Sequence, residues 1–395
     1  MTAGRRVLVV TGARSEFGLM RWVMDDLQTS DWAQLEIAAC GSHYMADHGD
    51  TWREIESSGF EITLALRPPP RGDSSSTCFA GALVSDLTLR LTQALQGEPR
   101  DLVLVMGDRY ELLGVMNAAL LTGTPIAHVS GGEITEGAID EQIRHAMTKA
   151  AHLHFVANED YADNVARMGE EQWRICVSGE PGLDAVERLA RPSAREFMEG
   201  LGWPSPAPTV LVTLHPVTHE RAGADAQLAA FASALERFMD ARGARALITY
   251  PNADMGSDAI IKTWRALAER RPQDVRLERS LGHARYLAAL EACDLMAGNS
   301  SSALVEAPSF GLPAVNVGAR QAGRIRAANV MDCAAEETAV YETLIQALDR
   351  GRIEGCENPY RKGDASRTIV RRIGEVLQSV PRETLLKKRF AGAVK

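Results

Sequence analysis

Short apolar runs alternate with amphipathic stretches along the whole chain. Continuous β-branched and aliphatic runs are the pattern of strands buried on both faces. They occur at Arg6–Thr11 (RVLVVT), Leu35–Cys40, Ile62–Leu66, Asp101–Met106 (DLVLVM), Pro125–Val129 and Ile175–Ser178. Helical periodicity falls between them, at about Leu19–Leu27, Asp50–Gly59, Leu83–Gln96, Glu111–Leu121 and Tyr161–Met168. The segment Arg191–Pro208 holds four prolines and separates this series from a second one. There the strands are Thr209–Leu214, Ala246–Thr249, Val275–Glu278, Asp294–Ala297 and Ala314–Val317, with helices at about Asp225–Ala241, Asp258–Arg270 and Tyr286–Cys293. A basic amphipathic helix is expected over about Ala365–Leu377. Two such series predict an α/β protein of two Rossmann-like, doubly wound domains facing a cleft. The expected division is 1–190, 191–370, and a C-terminal helix and tail at 371–395.

The most informative stretch is Ile126–Phe155, which reads as strand, glycine turn, acidic loop, helix and strand. It gathers Glu133, Glu136, Asp140, Glu141, Arg144, His145 and Lys149 behind an apolar strand and the pair Gly131-Gly132. Loops beyond the carboxyl ends of parallel strands are where such folds bind ligands. Ile139, Ile143, Met147 and Ala150 form the expected core face of the helix and leave its other residues to face elsewhere. Glu141 and His145 are i,i+4 neighbours, as are Asp140 and Arg144. Acid, imidazole and guanidinium at one loop suggest acid–base chemistry near an anion.

The chain has 395 residues, 45% hydrophobic and 24% charged, an ordinary balance for a globular protein. A net charge of −9 gives no support to nucleic-acid binding, so any anionic substrate must be held by local arginines. The six cysteines are scattered with no zinc spacing, which suggests reduced, mostly buried thiols in a cytoplasm. No signal peptide and no membrane-length apolar run is apparent.

Other strand ends carry polar groups that a core would not select. Gly12–Gly18 follows the first strand and includes Arg14, which either reaches a phosphate or is solvated; the loop lacks both the dinucleotide glycine spacing and the Walker lysine. Gly107-Asp108-Arg109 follows DLVLVM, and His215-Pro216 follows TVLVTL. Gly298–Ser302 puts glycine and three serines at an expected helix start, with Glu306 in the first two turns. Those serines are either a phosphate cradle or an ordinary N-cap, and Glu306 either accepts from sugar hydroxyls or answers the helix dipole. His128, His152 and His154 lie in or beside apolar strands and read as structural. No residue set demands a metal, and no GxSxG elbow supports serine hydrolysis. The loop Pro68–Thr77 (PPPRGDSSST) reads as flexible, its RGD as incidental.

Taken together, GARSEFG, MGDRYE, HVSGGEITEGAID, IRHAMTK, HLHF, HPVT, PNAD, GNSSS, EAPSFG and NVGARQ resemble the hydrolysing UDP-N-acetylglucosamine 2-epimerases of bacterial sialic acid synthesis. They also resemble sister enzymes that act on the UDP-diacetamido-trideoxyhexoses of legionaminic-type acids, with UDP-N-acetylglucosamine the preferred reading. The resemblance is collinear over roughly residues 5–330. It implies the two-domain (GT-B-like) fold of many glycosyltransferases, with a C-terminal helix that returns to the first domain. It implies a cytoplasmic homodimer or homotetramer that needs no cofactor. It also implies that a base removes the C2 proton, UDP leaves by anti elimination, and water adds to the glycal. Asp108, Glu133 and Asp140 are then the acid–base carboxylates, and His215 assists catalysis or the leaving phosphate. Arg14, Ser300 and Ser301 hold the diphosphate and Glu306 the ribose, while Arg109, His145 and Asn252 line the cleft. Arg320 and Arg324 are further anion contacts. Two positions depart from the pattern. Ala13 stands where threonine is common, and Ser130 where several relatives carry Glu or His, which leaves Glu133 or Asp140 as the base.

Three alternatives differ in kind. A non-hydrolysing 2-epimerase would return UDP-N-acetylmannosamine, but that class resembles HVEAGLRT where this chain has HVSGGE. A glycosyltransferase of the same fold would need an acceptor site. A non-catalytic nucleotide-sugar sensor would not need Asp108, Glu133, Asp140 and His215 together.

Overall fold

The apolar runs form strands, most of them buried on both sides, and the described strands all pair in parallel. The computed structural model describes residues 4–45, 50–69, 77–135, 139–203, 205–216, 223–251 and 257–392. By packing, the chain divides into two units, residues 1–185 with 360–395, and residues 186–359.

The first unit is built on seven strands: β1 (Arg5–Thr11), β2 (Ala33–Cys40), β3 (Leu64–Leu66), β4 (Leu102–Met106), β5 (Ile126–Val129), β6 (Leu153–Val156) and β7 (Ile175–Val177). Their order is β3-β2-β1-β4-β5-β6-β7. The crossovers include helices α1 (Arg14–Thr29), α2 (Trp52–Ser57), α3 (Thr77–Gly97), α4 (Leu112–Thr122), α5 (Ile139–Ala150) and α6 (Glu159–Arg167). After the short α7 (Ala185–Arg188) and α8 (Ala194–Gly200), the second unit has six strands. These are β8 (Thr209–Thr213), β9 (Arg245–Thr249), β10 (Val275–Glu278), β11 (Leu295–Gly298), β12 (Ala314–Val317) and β13 (Val330–Cys333), in the order β10-β9-β8-β11-β12-β13. Its remaining helices are α9 (Ala224–Arg242), α10 (Ser257–Arg270), α11 (Gly282–Ala292), α12 (Ser302–Val305) and α13 (Glu337–Arg350). The chain ends with α14 (Ala365–Ser379) and α15 (Arg382–Leu386).

Ile369, Val370, Ile373, Val376 and Leu377 of α14 pack in the first unit's core with Met20, Met24 and Leu27 of α1. The other face of that sheet is covered by Leu87, Leu91 and Leu95 of α3, Val115 of α4, and Ile143 and Met147 of α5. In the second unit Phe231, Phe238, Trp264, Val340 and Leu344 close over β8, β9, β11 and β12. Strand order reverses between β1 and β4 in one sheet and between β8 and β11 in the other. At such a reversal the flanking helices diverge to opposite faces and leave a crevice beyond the carboxyl ends of the strands.

Several expectations need correction. Ile139 is 65% exposed, because it is the first residue of α5 and precedes the part of the helix that lies on the sheet. Only Cys40 and Cys293 are buried; Cys78 is exposed and the other three thiols are half-buried. The structure adds elements, among them the following three. In the proline-bearing segment, α8 starts with a Ser193–Glu196 capping box. The half-buried edge strand β13 has no apolar run, and α13 buries Val340, Leu344 and Ala347 at helical spacing. The flexible loop expected at Pro68–Thr77 lies largely outside the described residues. Among the described residues no helix is long and apolar enough to cross a membrane.

Candidate active site

In the first unit the polar strand ends follow β1, β4 and β5, the three strands around the reversal point. The turn after β4 needs Gly107 at φ +79°. Its amide donates to the Val129 carbonyl at 3.0 Å, and its carbonyl lies 2.7 Å from His128 Nε2. Burial pushes the pKa of His128 down to about 3, so the ring is neutral and Nε2 carries the proton given to Gly107. Asp108 and Arg109 leave this turn. Arg109 Nη2 donates to the buried Glu111 carboxylate at 2.9 Å. Burial opposes the charge on Arg109, but Glu111 and Glu16 outweigh it and raise its pKa. Glu16, also buried, accepts from the Gly12 amide at 2.6 Å. Its own pKa is pushed up to about 7, first by burial, with Glu111 and Asp108 adding to the rise and Arg109 and the Gly12 amide opposing it.

The loop after β5 reverses through two left-handed residues, Ser130 at φ +61° and Gly132 at φ +76°. A Cβ at position 132 would collide with the Tyr161 carbonyl, so only glycine fits there. A serine at positive φ is uncommon. Its buried hydroxyl donates to the Glu180 carboxylate at 2.9 Å, which holds the loop from the far side of β6. The chain then delivers Glu133, 7% exposed.

Helix α5 supplies the groups that close this arrangement. Arg144 is 2% exposed, so it does not face outward as its charge suggests. It lies on a buried line with Thr148 and Ala151, at i, i+4 and i+7. Its Nη1 donates to the Glu133 carbonyl and to the Thr135 hydroxyl, each at 3.0 Å, and its Nη2 pairs with the Asp108 carboxylate. It also approaches Glu141 at 3.7 Å. Glu141 in turn accepts from the Thr135 amide and lies 3.0 Å from His145 Nε2. Asp140 is half-buried in the first turn of the helix, where the dipole favours a carboxylate.

Arg14 opens α1 and pairs with Glu54 of α2 at 2.8 Å, both side chains more than 40% exposed. His128, His152 and His154 are buried, as expected of structural residues.

In the second unit the ends of β8 and β11 meet at the reversal point, and Gly298 pairs in register with Thr213. Gly298 sits at φ +136°, and a Cβ there would strike the Thr213 carbonyl. Asn299 ties the two loops: its side chain accepts from the His215 amide at 2.7 Å and donates to the His215 carbonyl at 2.9 Å. The Asn299 carbonyl accepts from Arg320 at 3.1 Å and from Gln321 at 2.9 Å. His215 is buried, and burial, with the nearby Arg320 charge, lowers its pKa to about 4. Ser300 is buried and its hydroxyl accepts from the Ser302 amide at 3.3 Å, while Ser301 is half-buried. The helix expected after the serines is a single turn, and Glu306 lies at its end, not in its first turns. Burial raises the pKa of Glu306, against the Ser302 hydroxyl and Arg324. Asn252 and Glu136 lie outside the described residues. Among the described residues no group of three or more His, Cys, Asp or Glu could hold a metal ion.

The structure places Asp108, Arg109, Glu133, His145, His215, Ser300 and Arg320 at or near the strand ends, and adds the contacts of Glu16, Glu111, Glu180, Asn299 and the inward-facing Arg144, to which the sequence reading gave no role. The i, i+4, i+7 line of Arg144, Thr148 and Ala151 was a usable signal. No local pattern points to Glu180.

Comparison with known proteins agrees with this architecture. The family model for UDP-N-acetylglucosamine 2-epimerase matches residues 25–374. A UDP-N,N'-diacetylbacillosamine 2-epimerase (hydrolyzing) of Legionella pneumophila is 33% identical over 95% of this chain and 96% of its own length. A UDP-N-acetylglucosamine 2-epimerase of Neisseria meningitidis is 28% identical, over 95% of each. The crystal structure of UDP-GlcNAc 2-epimerase from Neisseria meningitidis bound to UDP-GlcNAc superposes with a TM-score of 0.78 at 18% identity. That likeness covers 94% of this chain and all of the other.

Proposed function

The chain belongs to the UDP-N-acetylglucosamine 2-epimerase family, and from that premise we propose that it is a hydrolysing UDP-sugar 2-epimerase. Its reaction converts UDP-N-acetylglucosamine and water into N-acetylmannosamine and UDP. The C2 proton passes to a carboxylate, the C1–O bond to UDP breaks, and a C1–C2 double bond forms. Water then adds at C1 while a proton returns to the opposite face of C2. The C2 proton is not acidic, so its removal needs a positioned base, and the departing diphosphate needs donors where its charge develops.

The observation that carries this reading is the pairing, through Arg144, of the Asp108 carboxylate with the turn that bears Glu133. Asp108, Glu133 and Asp140 take the proton transfers, with Arg109 and His145 beside the sugar. Arg14, Ser300 and Ser301 hold the diphosphate, Glu306 the ribose, and Arg320 and Arg324 make further anion contacts; Asn252 lines the sugar site. His215, neutral at pH 7, serves as a hydrogen-bond donor to the phosphate and gains a proton as negative charge builds beside it. No cofactor takes part.

A second reading keeps the chemistry and changes the sugar. The 33% identical relative named for UDP-N,N'-diacetylbacillosamine favours that 4-acetamido, 6-deoxy substrate. A proton NMR time course in D2O with each UDP-sugar tests both. Free sugar deuterated at C2, released with UDP, is the expected product, and its yield from the two substrates chooses between them. UDP-N-acetylmannosamine as product would overturn hydrolysis. We also assign the protein to the cytoplasm as a homodimer or homotetramer, an association supported by the exposed Leu89 of α3 and Leu120 and Leu121 of α4. A monomer by light scattering would overturn the oligomer.

A further inference from the structure

Arg144 touches both the turn after β4 and the turn after β5 with a single rigid group. We infer that it is a positioning residue: its planar fork fixes the Asp108 carboxylate relative to Glu133, and turnover depends on that spacing. This rests on the proposed 2-epimerase reaction.

Nη1 is spent on the Glu133 carbonyl and the Thr135 hydroxyl, and Nη2 on Asp108. Nε is buried without a hydrogen-bond partner, so the two terminal nitrogens alone orient the group. The side chain is 2% exposed on a helix whose inner line also includes Thr148 at 0%, so the guanidinium cannot turn outward to bind a substrate anion. Its stem comes from α5, which packs Ile143 and Met147 into the core that also holds Val103 and Val105 of β4. Arg144 is thus anchored to the scaffold and reaches out to the loops. If neutralising Asp108 were its whole purpose, any buried cation would serve. Three acceptors on two loops, answered by one planar group, require a fork, and a lysine ammonium lacks the geometry to replace it. Misplacing reacting groups by about 1 Å costs on the order of a hundredfold in rate.

The test compares Arg144→Lys, Arg144→Ala and Thr135→Val with the wild-type protein. Arg144→Lys, which keeps the charge, is expected to lose about a hundredfold in kcat with KM for the UDP-sugar little changed. Added guanidinium should restore part of the turnover of Arg144→Ala and none of Arg144→Lys. Hydrogen–deuterium exchange supplies a readout independent of activity: peptides covering residues 107–110 and 130–135 should exchange faster in Arg144→Lys, while those of β4 and β5 do not. Thr135→Val, which removes one acceptor and no charge, should show a smaller change of the same kind and covers the case in which the arginine variants fold poorly. Wild-type turnover by Arg144→Lys, or unchanged exchange in both loops, would overturn the positioning role. Faster loop exchange in a protein whose wild type turns over neither UDP-sugar would leave the geometry standing and sink the functional reading instead.

Discussion

Replacing Glu16 by glutamine should stabilise the protein at alkaline pH. The carboxyl is buried beside Glu111 and Asp108, with Arg109 and the Gly12 amide favouring its charge, and its pKa rises from 4.5 to about 7. Between those values the native state holds a proton that the unfolded chain releases, so stability falls as pH rises through the window. At about 1.4 kcal/mol per pH unit the full loss is on the order of 3 kcal/mol, most of it between pH 5 and 8. Glutamine keeps an acceptor for the Gly12 amide and leaves Arg109 to its bond with Glu111. Its side chain carries no charge to bury, so the variant escapes the loss. Thermal unfolding of both proteins at half-unit steps from pH 5 to 8 reads the difference directly. The wild type should lose several degrees relative to the variant, at about 2–4 °C per kcal/mol for a unit of this size. Parallel curves would refute the burial argument, because they would mean that Glu16 ionises in the folded protein as easily as in the unfolded chain.

Other substitutions probe separate parts of the molecule. Asp108→Asn and Glu133→Gln should each reduce turnover about 10²–10⁴-fold with folding intact, and full turnover by both would remove them from the chemistry. Arg100→Met removes one of the two arginines on Glu36, which it meets at 2.8 Å with both side chains 3% exposed; Arg6 stays on the same carboxylate, so the cost in urea unfolding should be about 1–3 kcal/mol. His215 should stay neutral down to pH about 4 in the ligand-free protein by nitrogen-15 NMR, and UDP should raise its midpoint; a ligand-free midpoint near 6.5 would contradict its burial.

The fold was legible because most of its strands are buried on both faces, and such strands appear in the sequence as unbroken apolar runs. RVLVVT, DLVLVM and TVLVTL became β1, β4 and β8 within a residue at either end. The glycine and polar residues just beyond them were legible for the same reason, since the run stops where the chain must turn. Elements without an apolar run were not: β13 carries Asp332 on a half-buried edge, and α8 is announced only by its capping box.

What stayed hidden was how charged side chains pair across the fold. Asp108 and Arg144 are 36 positions apart, and Ser130 and Glu180 are 50 apart. Neither pair has a periodic signature, because the contact depends on strand order and not on spacing along the chain. Parallel pairing places β4 beside β5 and β6 beside β7. It therefore brings the turn after one strand against a helix that follows another. A helix read alone assigns its charged residues to solvent, and α5 shows why that rule fails at a site. Arg144 is buried because Asp108 and the Glu133 carbonyl are there to accept its protons, and without those acceptors its burial would be prohibitively unfavourable. A buried arginine thus implies acceptors that the sequence does not name, and locating them requires the topology first.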